Sequence, residues 1–289
     1  MQNNRLVRFI AISAALVFTA RGIQMLTADS PYRVLLWDET LLRPFLENYC
    51  KISWEQWAAG VINDKFVGVL ATLNGLLFFG AAFGSSILTR AESSRKMVTS
   101  AARLSVYIGL LLLLLQYMLY ARDKSNHTTE FLEYGLQWGS PLLLLSARWL
   151  NEATIVRSLK ILIGIVFFSH GLYASGFYYT PGNFIVYTMN GLGVDEETAH
   201  TFLLVIGIVD MVFALLIFSD LVLRVSIYYF ILWGFLTTVA RMYCNWHSEM
   251  WLVSLRQYFY EMMVRAPHFL MPLALWLHIR MSAVGDRSK

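Results

Sequence analysis

Charged residues are scarce in this chain of 289 residues, at 15% against about 25% in an ordinary soluble protein. A soluble domain of this length needs a charged surface, and the chain has too few charges to make one. Hydrophobic residues make up 57% of the sequence and the mean hydropathy is +0.53, so the composition predicts an integral membrane protein. The apolar runs are continuous rather than alternating, which excludes a β-barrel and predicts an all-α, polytopic fold.

Cysteine is almost absent, with only Cys50 and Cys244 and no Cys-x-x-Cys motif, which excludes a disulfide framework or a thiolate metal site. The six histidines lack the spacing of a helical metal site, so no metal is predicted. No stripe of basic residues with interleaved aromatics is present, so nucleic acid is not an expected partner. Both cysteines fall on the outer side of the predicted topology, where they could form a disulfide or remain two free thiols.

Eight apolar segments approach the ~20 residues that a membrane span needs. They are predicted at 8–27, 66–89, 103–121, 131–148, 158–178, 201–219, 224–242 and 265–281. With the N-terminus placed inside, more than half of the lysine and arginine residues fall on the inner side, which predicts that both termini are cytoplasmic. The long loop 29–65 then lies outside, where Trp37, Trp54 and Trp57 predict short helices at the membrane interface.

Polar residues recur in the same order in the two halves of the chain, starting with Arg21-Gly22 and His170-Gly171. The matched pairs are Arg21 with His170, Asn74 with Asp210, Arg122 with Arg241, and Glu133 with Glu261. Because four spans return a chain to its starting side, this order predicts a tandem duplication with the same orientation. The first four-helix unit is placed at 1–152, including the loop 29–65, and the second at 153–289.

A four-span unit with a His-Gly near the outer end of its first span and an acid in its second span resembles the DoxX-like membrane proteins. The residues that carry the resemblance are ILIGIVFFSHG and VIGIVDMVFAL, with His170 and Asp210 at the two positions. The first half departs from the pattern, with Arg21 for the histidine and Asn74 for the acid. That superfamily includes DoxX, DoxD and MauE proteins, the small subunit of thiosulfate:quinone oxidoreductase, and Surf4-like cargo receptors. The resemblance implies four-helix bundles and, in some members, quinone-linked redox chemistry.

Ionisable groups within the spans are the candidate site residues, because each costs roughly 2.5–3.5 kcal/mol on insertion scales. We interpret Asp210 and His170 as a pair, which is either a proton-linked or ligand-contacting site or a structural hydrogen bond between spans. Arg21 either snorkels to lipid headgroups or pairs with an acid such as Glu133. The groups at the outer mouths of the bundles are interfacial charge or a site for an anion or quinone headgroup. The candidate ligand-binding residues are His170, Asp210, Arg241, Glu261, Arg21, Asn74, Arg122 and Glu133.

Three classes of function fit these features, and whether the chain is itself an enzyme stays open. The first is a quinone- or lipid-binding membrane subunit associated with a redox system, with quinone as the expected cofactor and a bacterial cytoplasmic membrane as the expected location. The second is a non-enzymatic receptor or assembly factor that binds a protein partner through its outer loops. The third is a transporter, which is less favoured because only Pro141 and Pro272 interrupt the spans.

Overall fold

The structure is a computed structural model that describes residues 2–28, 30–90, 96–124 and 128–287. Within these ranges every regular element is a helix, and there is no strand. Its α-helices are α1 (Gln2–Thr27), α2 (Arg33–Leu36), α3 (Glu39–Phe45), α4 (Trp54–Ala58), α5 (Val61–Arg90), α6 (Lys96–Asp123), α7 (Thr128–Glu133), α8 (Gly135–Ser146), α9 (Glu152–Ala174), α10 (Gly182–Leu192), α11 (Glu196–Leu216), α12 (Leu223–Tyr243), α13 (Trp251–Val264) and α14 (Pro267–Arg287). A turn of π-helix, Leu46–Cys50, and a 3₁₀ turn, Ser248–Met250, complete the set.

Six helices in the described ranges are long and apolar enough to cross a bilayer, namely α1, α5, α6, α9, α11 and α12. They coincide with six of the eight segments expected from the sequence. The all-α, multi-pass architecture predicted from composition is therefore confirmed. A helix of this length and apolarity satisfies every backbone group internally, which is the condition for residing in lipid.

The fourth and eighth predicted segments differ from the other six. The segment 131–148 folds as two helices, since α7 ends at Glu133 and α8 begins at Gly135. α8 has 12 residues and so a length of about 18 Å, against a bilayer core about 30 Å thick. The segment 265–281 forms most of α14, whose histidines, prolines and arginine lower its apolarity below that of the six.

These two helices occupy the centre of the molecule, while apolar side chains of the longer helices face outward. α8 contacts α1, α6, α9 and α14, and α14 also contacts α1, α9 and α12. Leu136 of α8 and Leu275 of α14 are both 0% exposed. Phe83, Leu104 and Leu232 on α5, α6 and α12 are more than half exposed, a pattern that suits contact with lipid.

Glycines set the two closest helix crossings in the second half. A Cβ built on Gly171 of α9 would lie 2.6 Å from the carbonyl oxygen of Gly207 on α11. A Cβ built on Gly234 of α12 would lie 2.4 Å from the carbonyl oxygen of His268 on α14. Both backbones approach only because no side chain intervenes. Because Gly171 has no side chain, α11 packs directly against α9. Because Gly234 has none, α14 approaches α12 at His268, which sets the position of that histidine.

Two further helices, α10 and α13, lie in stretches expected to be loops. Pro181 stands at the N-cap of α10, and Gly193 ends it in the left-handed conformation with φ +67°. Pro181 and Gly193 therefore mark the two ends of a helix in this stretch. Asp195 then caps α11 by accepting a hydrogen bond from the Thr198 backbone N–H at 2.9 Å.

The segment after α1 contains the short helices expected there, α2 to α4. Asp38 caps α3, and a hydrogen bond from the Thr40 hydroxyl holds the pKa of its carboxyl below the usual range. The same carboxylate pairs with Arg122 at the end of α6. The Trp57 indole donates to the Leu36 carbonyl at 2.8 Å, which ties α4 to α2.

Candidate functional site

A pair of histidines lies at the centre of the second half. His170 on α9 and His268 on α14 face each other with their Nε2 atoms 3.2 Å apart. Both residues are buried, at 7% and 1% exposure. The close crossing at Gly234 brings α14 near enough for this contact, and Phe167 packs edge-on against both rings. Two buried imidazoles in contact are costly unless further hydrogen bonds satisfy them.

Glu133, from the end of α7 in the first half, supplies one of those hydrogen bonds, to His170. Its Oε1 lies 3.0 Å from His170 Nδ1 and 2.8 Å from Arg265 Nη2. All three side chains are less than 10% exposed. The network therefore joins the two halves of the chain through a buried charge-assisted contact, the kind that is strong when geometry is good.

One hydrogen bond of this network fixes the position of a proton on His268. His268 Nδ1 lies 3.0 Å from the Arg265 carbonyl oxygen, which can only accept, so His268 donates from Nδ1. If its Nε2 then accepts from His170 Nε2, a further proton is needed between His170 Nδ1 and the Glu133 carboxylate. If His268 donates from both nitrogens, it carries that extra proton itself. With Nδ1–H on each neutral ring, by contrast, His170 donates to the Glu133 carboxylate and the two Nε2 atoms lie in contact without a proton between them.

Asp210 does not contact His170, so the predicted pair between them is wrong. Its carboxylate instead accepts from the Tyr229 hydroxyl at 2.5 Å and from the Trp233 indole at 3.3 Å. The reason is the rotation of α11, which presents Gly207 to α9 and turns Asp210 towards α12. Asp210 is 2% exposed and is held by neutral partners only among the described residues.

His170, His268 and Asp210 nevertheless line one cavity, with a volume of about 410 Å³. That volume lies within the ~300–1,000 Å³ range of small-molecule sites. Most of its wall is apolar or aromatic, including side chains of α10, α11 and α12: Phe184, Leu192, Phe202, Ile206, Trp233 and Leu236. Arg241 and Arg265 stand on the same wall, so the polar groups are few and grouped.

Arg241 and Glu261, both candidate site residues, form an ion pair at the edge of the apolar cavity. Arg241 Nη1 lies 3.3 Å from Glu261 Oε2, and the Tyr187 hydroxyl donates to the same oxygen at 3.4 Å. Arg241 also lies over the Tyr187 ring, with its guanidinium carbon 5.5 Å from the centroid. This cluster stands where the apolar cavity ends.

The candidates of the first half are dispersed rather than gathered into a matching site. Arg21 does not pair with Glu133, because Glu133 is already engaged by His170 and Arg265. Arg122 pairs with Asp38 instead of contacting Glu133. The Asn74 amide donates to the Leu70 carbonyl of its own helix at 2.7 Å, the ordinary bond of a buried helical amide.

His268 was not among the site residues predicted from the sequence, because its spacing to the other histidines fits no metal site. The structure places it at the centre of the cluster, and no group of metal-binding side chains forms among the described residues. A signal was present in the sequence. His268 stands four residues before Pro272, as Gln137 stands four residues before Pro141.

The two cysteines are free thiols, so the alternative of a disulfide between the halves is not what the structure has. Cys50 is exposed at the end of the π-helical turn. Cys244 follows α12 and is buried, with its thiol 3.2 Å from the Tyr187 carbonyl oxygen that it donates to.

Maleimide labelling is expected to distinguish these thiols. Burial raises the pKa of the Cys244 thiol, and the thiolate is the reactive form. At neutral pH the Cys50→Ser variant should therefore label roughly tenfold more slowly than Cys244→Ser, and its rate should rise only as the pH approaches the raised pKa. Equal rates at neutral pH, or a disulfide on a non-reducing gel, would contradict the structure.

The fold and this cluster define an all-helical, multi-pass membrane protein with a polar network at the end of an apolar cavity. No family model, curated protein or solved structure matches the chain.

Proposed function

We propose that the chain is a DoxX-like membrane subunit that binds a quinone or a lipid and works with a redox system. In this proposal it has eight spans in two parallel four-helix units, with α8 and α14 as the fourth span of each. Both termini are cytoplasmic, and the membrane is the bacterial cytoplasmic membrane. The apolar cavity that ends at the histidine pair is the observation on which the binding proposal rests.

The chemistry of the cavity fits an amphipathic ligand with a small polar head. Phe184, Phe202 and Leu236 offer an apolar wall for a ring or an acyl chain. A head with carbonyl oxygens needs donors, and Arg241 has one to spare, since its Nε lacks a hydrogen-bond partner among the described residues. A lipid ester and a quinone both present such oxygens.

A quinone would supply two-electron chemistry when bound, with its electrons exchanged with a redox partner. The residues of this chain would bind the head, exclude water and hold a proton beside it. The network of His170, His268 and Glu133 lies next to the cavity wall and contains the groups that would hold this proton. Histidine is suited to this task because its ordinary pKa is near about 6.5.

The proposed duplication is supported by a contact that recurs in both halves. In the second half His170 meets His268, at 3.2 Å. In the first half Arg21 meets Gln137, also at 3.2 Å. Arg21 is the counterpart of His170, and Gln137 and His268 each stand four residues before a proline. Corresponding positions of the two halves are thus in contact in both, through an arginine and a glutamine in the first half and two histidines in the second.

A protein partner is part of the proposal because the outer segment leaves large aromatic side chains uncovered. Trp37, Phe45 and Tyr49 are 55%, 54% and 78% exposed on or beside α3. If these aromatic side chains bind a protein rather than lie in the membrane interface, the chain acts as a receptor or assembly factor. That function is the second candidate, and co-purification of a specific protein without any quinone would favour it.

Quinone binding is tested by purifying the protein in lipid nanodiscs and measuring the quinone recovered per chain. We expect stoichiometric quinone in the unaltered protein and at least about a tenfold loss in His170→Ala, which removes a polar anchor of the head. Ala240→Trp should cause a similar loss by filling the cavity, since Ala240 lines it and takes no part in the polar network.

His200→Ala is the matched control, because His200 is half exposed on α11 and lies outside the cavity. It should retain the quinone of the unaltered protein. Recovery of no quinone, or equal recovery from Ala240→Trp, would refute quinone binding. Specific lipid recovered in its place, and lost in Ala240→Trp, would assign the cavity to lipid.

A further inference from the structure

A second cavity of about 340 Å³ lies between the two halves and has a different character. Its wall is dominated by charged and hydroxyl-bearing side chains rather than by apolar ones. The charged members are Arg21, Lys124, Glu133, Arg241, Glu261 and Arg265. The cavity shares Arg241 and Arg265 with the apolar cavity, so the two are neighbours.

Three of the four basic side chains on this wall already have an acidic partner. Lys124 Nζ lies 2.7 Å from Glu130, Arg241 lies 3.3 Å from Glu261, and Arg265 lies 2.8 Å from Glu133. Because each carboxylate is engaged in this way, none remains to balance a fourth cation.

Arg21 is that fourth cation. It is 5% exposed, and its guanidinium donates only to neutral groups: Gln24 at 2.5 Å, Gln137 at 3.2 Å and the Tyr120 hydroxyl at 3.4 Å. Within the described residues it forms no ion pair, and its Nε has no hydrogen-bond partner at all. The guanidinium carbon of Arg21 lies 4.9 and 5.3 Å from the ring centroids of Tyr117 and Tyr120. These cation–π contacts offset part of the cost of burying the charge.

A buried guanidinium without a counter-charge is unfavourable, and proteins almost always pair such groups. Here an open, polar cavity lies against it in place of a carboxylate. We propose that this cavity binds an oxyanion, a carboxylate, phosphate or sulfate group, which completes the charge balance of Arg21. Guanidinium forks match the oxygens of such groups in geometry, and the Tyr120 hydroxyl can donate to the same ligand.

The oxyanion has two possible sources, a free anion or the head of an amphiphile. An amphiphile would place its chain in the neighbouring apolar cavity, past the shared residues Arg241 and Arg265. A free anion would occupy the polar cavity alone. The inference does not depend on quinone binding, because it rests on Arg21 and its cavity and not on the histidine pair.

The test is direct binding of radiolabelled inorganic sulfate to the purified full chain in detergent, by equilibrium dialysis at constant ionic strength. We expect saturable binding to one site per chain, competed by acetate. Arg21→Gln keeps hydrogen-bonding capacity but removes the charge, and should weaken affinity at least about tenfold. Arg256→Gln removes the same charge from an exposed position on α13 and should leave affinity unchanged.

Tyr120→Phe provides a second variant if Arg21→Gln does not fold, and should weaken sulfate binding about threefold to tenfold. Decanoate distinguishes the two sources. If it binds as acetate does, the ligand is a free anion; if it binds more tightly and Ala240→Trp removes the gain, the ligand is the head of an amphiphile. Absence of saturable binding of any of these anions, or native affinity in the folded Arg21 or Tyr120 variant, would overturn the proposal.

Discussion

Replacing Glu133 with alanine is expected to lower the free energy of unfolding by about 3–5 kcal/mol, the usual cost of stranding a buried charge. The substitution leaves Arg265 buried without its carboxylate and removes the hydrogen-bond partner of His170 Nδ1. Because Glu133 belongs to the first half and both partners to the second, the loss also loosens the contact between halves. Unfolding in mixed detergent micelles, followed by far-UV circular dichroism, measures the effect.

Two comparisons separate this charge effect from loss of packing. The exposed pair of Glu39 and Arg43 serves as a control, and Glu39→Ala should cost no more than about 1 kcal/mol. In the double variant Glu133→Leu, Arg265→Met, neither charge remains, so it should be more stable than either single variant. If Glu133→Ala costs less than the Glu39 control, the buried network does not hold the halves together.

Replacing Gly171 with alanine is expected to lower the free energy of unfolding by about 1–3 kcal/mol, as overpacking in a close-packed interior does. The added Cβ would meet the Gly207 carbonyl oxygen at 2.6 Å, and a backbone atom cannot move aside as a flexible side chain can. Separating α9 from α11 would also shift His170, so quinone recovery should fall with stability. The same unfolding and recovery measurements apply.

Gly68 and Gly80 on α5 are matched controls, because a Cβ built on either meets nothing within 4 Å. Alanine at these positions should leave stability unchanged or raise it by up to about 1 kcal/mol, the difference in helix propensity. All three are helical glycines, so the comparison with Gly171 separates the effect of the α9–α11 crossing from that of helix propensity. Equal effects at Gly80 and Gly171 would show that the α9–α11 approach does not limit packing.

The long apolar helices could be predicted from the sequence because their signal is local. A run such as that of α11 needs only length and apolarity to be recognised, and its Asp195 cap marks the start. The helices α10 and α13 lacked that signal, and so did the break between α7 and α8. The break at Tyr134 and the capping of α10 by Pro181 and Gly193 depend on packing and turn geometry that hydropathy does not report.

The candidate site was predictable in its residues but not in its partnerships. Composition and position were enough to single out His170, Asp210 and Glu133. Which of them touch depends on how each helix is rotated, and that rotation is set by Gly207 and Gly234 through close contacts with other helices. The predicted pair of His170 with Asp210 failed for this reason, and so did the alternative in which Arg21 pairs with Glu133.

The ion pair of Glu133 and Arg265 joins positions 132 residues apart, and this separation has a consequence for biosynthesis. At ~5–20 residues per second, the ribosome adds Arg265 roughly 7–26 seconds after Glu133. Throughout that interval the nascent chain carries a carboxylate whose cationic partner does not yet exist. α9 can enter the membrane early, but its final packing waits for α14, so a truncated chain is left with an acid that the insertion machinery must shield.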